Sequence, residues 1–527
     1  MNQNINQTNK WYNNAIIYHL YPLAFVDEKA ENNLTQAINR TDKIYNWINH
    51  IKDMNCNTLF LGPIFQSRSH GYDTTDLFSI DFRLGSNDEF RELIKELHNK
   101  GLKVIVDGVF NHVGRDFFAF KDLQENKENS IYKDWFVSVD FSQSSPYGDS
   151  FSYESWSGYF DLVKLNLKNN DVVNHLLNAV NFWIDTFEID GIRLDCADVL
   201  DFDFMASLRT FCEHKKEDFW LLGEVIHGDY FNWANNERLY STTNYECYKG
   251  LFSSHNDKNM FEIAFSLDRE FNIEKGIYKD IYLYNFTDNH DVNRLASTVL
   301  EDYYLYTVNL LLFTVPGIPS VYYGSEWAVK GTKGGSDDWA LRPNISPDTN
   351  NSNYNFDLEN VIKRFINIRH HSESLKHGTY KQLVVKQEQF VFERKSENET
   401  TIVAINSSDK PVIIDIPVNG EYNKYVDILN GNVEGSISNN TFIDMMQRSS
   451  TVFDFANHIQ DGYTMRVMEN LCAGKKIITN NRNVLNEPFY SPDRFFVYDD
   501  LDFNGLKEFL KIPLSDPSAR FEEFYLS

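Results

Sequence analysis

The sequence has little cysteine, and its few cysteines are widely spaced. An odd number of cysteines with no close C-x-x-C pair argues against both a disulfide framework and a zinc site. This pattern predicts a protein of a reducing compartment, the cytoplasm. The five residues among the 527 are Cys56, Cys196, Cys212, Cys247 and Cys472.

Excess positive charge and long apolar runs are also missing. The net charge is −26, whereas binding a phosphate backbone requires a basic surface, so nucleic acid is not expected as a partner. No run approaches the ~20 apolar residues of a membrane span. The polar start, residues 1–6, lacks the apolar core of a secretory leader. The sequence therefore predicts no membrane association, and it leaves the oligomeric state open.

What the sequence does contain is a regular alternation of apolar runs and helical patterns. Residues 15–21, 57–63 and 103–107 are apolar runs of strand length. A helical pattern follows each of the first two runs, and the second pattern begins with a capping box of Ser86 and Glu89. This rhythm predicts βαβ units and a parallel sheet.

Residues of about 113–166 interrupt the rhythm with an aromatic, Ser-rich stretch, which we interpret as a B domain inserted after the third strand. Eight βα units with such an insertion favour an α/β fold, a (β/α)8 TIM barrel, over a doubly wound sheet. The barrel is expected to span residues 11–374. Its five later strands are predicted at about 189–195, 219–225, 244–248, 281–288 and 318–323.

After about residue 375 the apolar period changes from helical to alternating. Three runs, 389–393, 401–405 and 412–416, have strand-like alternation or apolar character and are separated by turn residues. They predict a C-terminal antiparallel β-domain of sandwich type over residues 375–448.

The last segment, residues 449–527, returns to a mixed pattern and is expected to form a short α/β tail. Residues 463–473 have a helical pattern, and residues 476–479 resemble a strand. The run 452–455 is expected to replace the last strand of the β-domain.

Three of the predicted barrel strands run into carboxylates. Asp195, Glu224 and Asp291 follow different strands, and the strand ends of a parallel barrel converge on one pocket. Such a set suits acid/base chemistry with a carboxylate nucleophile. Arg193 precedes Asp195 by two residues on the same strand, so both side chains face one side and the cation favours the ionised form of Asp195.

Six stretches, in this order, resemble motifs of the α-amylase family of glycoside hydrolases. The resemblance covers about residues 11–448, and six motifs in order are highly specific to this family. The matching stretches are Gly71–Asp73, Asp107–His112, Gly191–Asp195, Gly223–Val225, Phe286–Asp291 and Gly317–Glu326.

The resemblance implies roles for individual residues. Asp195 matches the nucleophile of a retaining mechanism, Glu224 the general acid and then base, and Asp291 the transition-state stabiliser. Tyr72 matches an aromatic residue under the sugar ring, and Arg342 lies in a loop that loosely matches a substrate-contacting one. His112 and His290 match ligands of sugar hydroxyls, and Arg193 belongs with them in the predicted substrate site.

The implied activity is hydrolysis of α-1,4-glucosidic bonds in maltodextrins through a covalent glycosyl-enzyme, with an α-glucan oligosaccharide as the substrate partner. Transglycosylation or isomerisation of α-glucosides, and a cyclomaltodextrinase-type activity, remain alternatives on the same scaffold. The insertion ends in Lys-Leu-Asn, residues 164–166, which resembles the sequence at the same place in maltogenic and cyclodextrin-degrading members of the family. A non-catalytic, membrane-anchored relative is disfavoured because all three carboxylates are present.

The residues after Asp195, Cys196–Asp198, depart from the Lys-His pair of many calcium-dependent secreted members. Asn111 matches a calcium ligand of that group, but the sequence offers no readable second ligand. We therefore expect that no cofactor is required.

Residues 449–527 do not resemble an amylase. Residues 462–469 and 474–481 resemble the C-terminal end of bacterial surface-polysaccharide glycosyltransferases. Because the nucleotide-sugar site of such enzymes lies between two domains and the first is missing, no transferase activity is expected from this segment.

Overall fold

The computed structural model falls into two compact units, residues 1–418 and 419–527. The boundaries predicted for the barrel, the β-domain and the tail remain predictions. The residues that the structure describes are 10–26, 31–334, 338–348, 351–417, 425–429, 451–454, 471, 474–499 and 503–515.

The strands, in chain order, are β1 (Ile17–Leu20), β2 (Thr58–Leu61), β3 (Phe65–Ser67), β4 (Thr74–Ile80), β5 (Lys103–Gly108), β6 (His112–Gly114), β7 (Ser155–Trp156), β8 (Tyr159–Lys164), β9 (Gly191–Leu194), β10 (Trp220–Gly223), β11 (Ser241–Thr242), β12 (Tyr284–Phe286), β13 (Ile318–Tyr322), β14 (Thr379–Val385), β15 (Gln389–Lys395), β16 (Thr400–Asn406), β17 (Thr451–Asp454), β18 (Lys476–Thr479) and β19 (Phe495–Val497).

The helices are α1 (Asp42–Asp53), α2 (Asn87–Asn99), α3 (Phe118–Asn126), α4 (Asn170–Phe187), α5 (Phe202–Lys215), α6 (Tyr245–Asn256), α7 (Phe261–Phe271), α8 (Leu295–Thr298), α9 (Tyr304–Thr314), α10 (Phe356–His371), α11 (Glu373–His377) and α12 (Leu506–Lys511). The predicted capping box of Ser86 and Glu89 forms at the start of α2. None of the described helices is long and apolar enough to cross a membrane.

The first unit contains the predicted barrel of eight parallel strands. The strands lie in the order β11-β10-β9-β5-β2-β1-β13-β12. A parallel bridge between Thr243 and Tyr284 joins the two ends of this sheet, so the barrel closes. Strand β5 is buried almost throughout, as expected for a strand covered on both faces. The α/β TIM-barrel prediction is thus confirmed.

The stretch predicted as an insertion carries its own small sheet. Strands β6, β7 and β8 pair antiparallel in the order β6-β8-β7. They stand between barrel strand β5 and helix α4, and β6 begins at His112. This placement fixes His112 at the junction between the barrel and the inserted sheet.

One predicted barrel strand is misplaced. The sixth strand was expected at residues 244–248, but it is β11, only two residues long, and residues from Tyr245 onward form α6. The Asn244 side chain accepts the N–H of Cys247 and caps this helix, which is the conformation that Asn favours at a helix start. The strand itself, Ser-Thr, has no apolar signal that a sequence pattern could reveal.

The antiparallel sheet after the barrel is smaller than predicted. Strands β14, β15 and β16 form it, but residues 412–416 are not a strand, and Ile413 is 92% exposed. The prediction was wrong because it rested on the apolar character of this run, which has no buried face. Most of residues 418–448 lie outside the described residues.

The second unit contains a separate parallel sheet in the order β17-β18-β19. The expectation that residues 452–455 replace a strand of the antiparallel β-domain is therefore wrong, because β17 pairs with β18 in parallel. The helix predicted at residues 463–473 falls almost entirely outside the described residues.

Glu270 on α7 is a buried acid within the first unit. Its side chain is fully buried, and its Oε2 accepts a hydrogen bond of 2.9 Å from Asn244 Nδ2. Burial raises the pKa of Glu270 to about 8. The native state therefore holds a proton that the unfolded chain, with an ordinary pKa, releases at much lower pH.

We expect this proton to make stability fall as the pH rises from about 4.5 to about 8, because in that window the native state binds more protons than the unfolded state. The isosteric Glu270→Gln should remove this loss, so its unfolding free energy relative to that of the parent should rise by about 4 kcal/mol between pH 5 and pH 9. Urea denaturation at pH 5 and at pH 9 measures the unfolding free energy of both proteins. Glu262→Gln, a partly exposed position on the same helix, is the control, and an equal response of both variants would contradict the expectation.

Candidate active site

Two carboxylates follow directly on neighbouring barrel strands. Asp195 comes after β9 and Glu224 after β10, and the strands pair in parallel with Leu194 beside Gly223. The N–H of Glu224 donates to Leu194 O at 2.9 Å, and the N–H of Asp195 donates to Gly108 O at 3.1 Å. Both residues are more than nine-tenths buried. The backbone ladder thus fixes the two groups side by side at one mouth of the barrel.

Arg193 links these carboxylates from within strand β9. Its Nη1 lies 2.7 Å from Asp107 Oδ1 and 3.0 Å from Asp195 Oδ1, and its Nη2 lies 2.9 Å from Glu224 Oε1. Burial lowers the pKa of Arg193, but Asp107 and Glu224 outweigh burial and raise it well above its usual value. The cation is therefore permanent and holds one oxygen of each carboxylate.

Glu224 has the environment of a proton donor. Its second oxygen, Oε2, accepts the backbone N–H of Cys196 at 3.0 Å. Burial, together with the charges of Asp195 and Asp291, raises the pKa of Glu224 to about 8 against the opposing effect of Arg193. A carboxyl group that is protonated near neutral pH and lies beside a second carboxylate is suited to general acid catalysis.

Cys196 contacts both Asp195 and Glu224, and the sequence analysis did not reveal these contacts. It has a left-handed backbone (φ +47°), and its Sγ donates to Asp195 Oδ2 at 3.2 Å. Burial and the neighbouring carboxylates raise the pKa of Cys196 above the usual thiol value, so it remains a neutral thiol. Asp195 is thus oriented by Arg193 at one oxygen and by a weak donor at the other.

Asp107 is a second residue that the predicted site omits. It is the last residue but one of strand β5 and lies next to Arg193 in register, and its Oδ2 accepts the Tyr72 hydroxyl at 3.0 Å. Burial raises the pKa of Asp107, and Arg193 opposes that effect. Its position at a strand end, within a stretch already matched to the family, was the signal that could have identified it.

Asp291 lies in the loop after β12, beside the imidazole of His290 and the guanidinium of Arg342. Its Oδ2 is 2.9 Å from His290 Nε2, and its Oδ1 is 3.1 Å from Arg342 Nη2. Partial burial would raise the pKa of Asp291, but His290 and Arg342 more than offset it and lower the pKa well below its usual value. Asp291 is therefore an anion at any working pH.

The other predicted site residues lie around these carboxylates. The Tyr72 hydroxyl bonds His290 Nε2, and the two rings stack at 5.7 Å. Nδ1 of His112 lies 3.2 Å from Asn111 Nδ2, whereas its buried Nε2 has no hydrogen-bond partner within the described residues. Burial lowers the pKa of His112, so a neutral imidazole is available to a hydroxyl group. All of the predicted site residues are in the described part of the chain, and their individual roles remain predictions.

The prediction that Asn111 is a metal ligand remains a prediction. Calcium takes about six to eight oxygen ligands, but the one group of three potential His, Cys, Asp or Glu ligands in the described part of the chain is Asp195, Cys196 and Glu224. That group contains a thiol and already contacts Arg193. The Asn111 amide, for its part, contacts the neighbouring imidazole.

Comparisons with known proteins agree with this architecture. A family model described as the alpha amylase catalytic domain matches residues 19–365, and one described as the alpha-amylase C-terminal domain matches residues 378–453. These matches do not support the predicted resemblance of residues 449–527 to a glycosyltransferase fragment.

Individual relatives are similar over most of the chain. A cyclomaltodextrinase of Thermoanaerobacter pseudethanolicus is 30% identical over 77% of this chain and 72% of its own length. An intracellular maltogenic amylase of Bacillus subtilis is 28% identical over 62% of this chain and 57% of its own. The ligand-free structure of the cyclic α-maltosyl-(1→6)-maltose hydrolase of Arthrobacter globiformis is 26% identical, with a TM-score of 0.66 over 75% of this chain and 92% of that one.

Proposed function

The chain belongs to the α-amylase family of glycoside hydrolases, and from this premise we propose how it acts as an α-glucan hydrolase. It cleaves α-1,4-glucosidic bonds of maltodextrins with retention of configuration. Asp195 is the nucleophile, Glu224 the general acid and base, and Asp291 the stabilising anion. Substrate contacts come from Tyr72, His112, Arg193, His290 and Arg342.

The separation of the two catalytic carboxylates carries this proposal. An oxygen of Asp195 and an oxygen of Glu224 lie within 4.8 Å of each other. Retaining glycosidases hold their carboxyl groups about 5–5.5 Å apart, whereas inverting enzymes need about 6.5–9.5 Å to admit a water molecule between base and sugar. The short spacing supports direct attack by Asp195.

The proposed reaction has two displacements. Glu224 donates its proton to the glycosidic oxygen while an oxygen of Asp195 bonds to the anomeric carbon, which releases the leaving sugar and forms a β-linked glycosyl-enzyme. Glu224, now ionised, takes a proton from water, and the oxygen of that water displaces Asp195 to restore the α configuration. The fixed charge of Asp291 stabilises the positive charge that develops on the sugar ring in both steps.

A cyclomaltodextrinase-type activity is the second candidate, favoured by the cyclomaltodextrinases among the relatives. Transglycosylation differs only in the acceptor, because a sugar hydroxyl then replaces water in the second step. Chromatography of products from maltohexaose, β-cyclodextrin, pullulan and trehalose in parallel separates these activities. Shorter maltodextrins from maltohexaose support hydrolysis, faster cleavage of β-cyclodextrin favours the second candidate, and longer products would contradict hydrolysis as the main reaction.

We propose that the reaction needs no cofactor and no calcium. Exhaustive dialysis against EDTA is expected to leave kcat/KM within about twofold of its starting value, because calcium takes about six to eight oxygen ligands and the sequence offers no readable second ligand beside Asn111. Loss of activity that added calcium restores would contradict this expectation.

A location inside the cell is also a proposal. It is supported by the intracellular maltogenic amylase among the relatives and by the widely spaced cysteines. Cys56, Cys196, Cys212 and Cys247 are all free thiols in the structure. Immunoblotting of fractionated cells of the source tests it, and recovery of the protein from the medium would contradict it.

A further inference from the structure

A separate cavity borders the loop that follows Glu224. Its volume is about 390 Å³, within the range of about 300–1,000 Å³ typical of small-molecule sites. None of its lining residues belongs to the predicted active site. They come from the loop after β10 and from the end of α7 with the segment behind it: Gly228, Asp229, Phe231, Arg269, Ile277 and Tyr278.

Hydrogen bonds hold the two walls of this cavity in place. The N–H of Tyr230 donates to the Tyr278 hydroxyl at 3.2 Å, which ties the loop to the opposite wall. The N–H of Ile277 donates to Arg269 O at 2.9 Å. Gly228 has φ +117° and would place a Cβ 3.0 Å from the Trp233 ring, so the loop turns where a larger residue would clash. The cavity is therefore pre-formed.

The lining offers an apolar surface beside fixed polar groups. The Phe231 side chain is 39% exposed, and its ring centre lies 5.6 Å from that of Tyr278. Arg269 is held by an ion pair with Glu246, and Asp229 Oδ1 accepts the N–H of Phe231 at 3.1 Å. An aromatic face flanked by planar groups that donate and accept hydrogen bonds suits a ligand with flat apolar faces and many hydroxyl groups.

The charge of the cavity narrows the ligand class. The one cation of the lining, Arg269, is already paired with Glu246, whereas Asp229 adds an acid to the lining, and the whole chain carries a net charge of −26. Phosphorylated sugars, nucleotides and other anions are therefore disfavoured by repulsion. The remaining class with the required faces and hydroxyl groups is neutral carbohydrate.

We propose that this cavity is an auxiliary binding site for a segment of an α-glucan chain, separate from the site of cleavage. The identity of the glucan rests on the proposed function, whereas the class of neutral carbohydrate follows from the cavity itself. When one segment of a polymer occupies the cavity, the effective concentration of its other segments at the active site rises. Short oligosaccharides gain nothing from it.

Binding without turnover tests the proposal. In an Asp195→Asn background, which is expected to turn over substrate at least about 10,000-fold more slowly, retardation of the protein in native gels containing amylose reports affinity. Phe231→Ala is expected to raise the apparent Kd about fivefold or more, since a lost aromatic contact costs about 1 kcal/mol. Phe265→Ala is the matched control, because Phe265 is 69% exposed on α7 but does not line the cavity.

A second variant and an activity assay complete the test. Ile277→Trp fills the cavity from the opposite wall and should weaken retardation as Phe231→Ala does. In the active enzyme both variants should lower kcat/KM on amylose but leave it unchanged on maltotriose. Retardation equal to that of the Phe265→Ala control in both variants would overturn the proposal. Retardation that depends on Phe231 in a protein that fails to cleave glucans would overturn the proposed function and leave the carbohydrate site standing.

Discussion

Asp195→Asn is expected to lower kcat on maltodextrins by about 10,000-fold or more, because an amide cannot form the ester bond of the glycosyl-enzyme. The fold should survive the change. Arg193 keeps Asp107 and Glu224 as partners when Asp195 loses its charge, so no buried cation is left unpaired. We therefore expect the thermal midpoint of unfolding to stay close to that of the parent. Stopped assays of reducing ends measure the fall in kcat.

Chemical rescue separates a missing nucleophile from a damaged site. In Asp195→Gly, azide can enter the space of the lost carboxylate and attack the anomeric carbon of an aryl α-maltoside from the β face, while Glu224 protonates the leaving group. The product is a β-maltosyl azide. Asp185→Asn, at an exposed ion pair with Lys215, controls for the loss of one surface carboxylate. If Asp195→Asn keeps more than about a hundredth of the parent kcat, the nucleophile is another residue.

Glu224→Gln is expected to have the second largest effect, and its size should depend on the leaving group. Natural glucans need a proton on the glycosidic oxygen, so kcat should fall by about 1,000-fold or more, whereas aryl glycosides with acidic phenols need little help in the first step. Azide should also rescue this variant, but by displacing Asp195 from the glycosyl-enzyme, which yields an α-maltosyl azide. The opposite stereochemistry of the two rescued products distinguishes the two roles.

The pH profile gives a further signature of Glu224. Because burial raises its pKa to about 8, the acid is protonated at neutral pH, and kcat/KM of the parent should fall as the pH rises through about 8. The glutamine variant cannot ionise, so its residual activity should lack this alkaline limb. The assay is kcat/KM from pH 5 to pH 10. An alkaline limb that persists in Glu224→Gln would assign the titration to another group.

The sequence predicted those parts of the site that depend on the pattern of residues within one short segment. Asp195 and Glu224 could be placed because each directly follows an apolar run of strand length, and the ends of parallel strands converge. The α/β barrel followed from the same rhythm. Strand β11 was missed because two polar residues carry no periodicity, and Asn244 then caps a helix where a strand was expected.

Contacts between strands could not be derived from pattern. Asp107 bonds Arg193 because strands β5 and β9 pair in that register, and register across distant segments has no signal in a single sequence. Cys196 reaches Asp195 and Glu224 through a left-handed turn. The mixed pattern of residues 449–527 was predicted as an α/β tail, and its three parallel strands agree with that, although its resemblance to a transferase is unsupported.

The covalent glycosyl-enzyme on Asp195 is the central claim, and trapping it is the most direct test. Glu224→Gln incubated with α-maltosyl fluoride should accumulate the intermediate, because fluoride departs without an acid while the second step lacks its base. Mass spectrometry of the intact protein and its peptides then locates the label. The account predicts one added maltosyl group on the peptide that contains Asp195. A label on another residue, or release of β-maltose without any label, would contradict it.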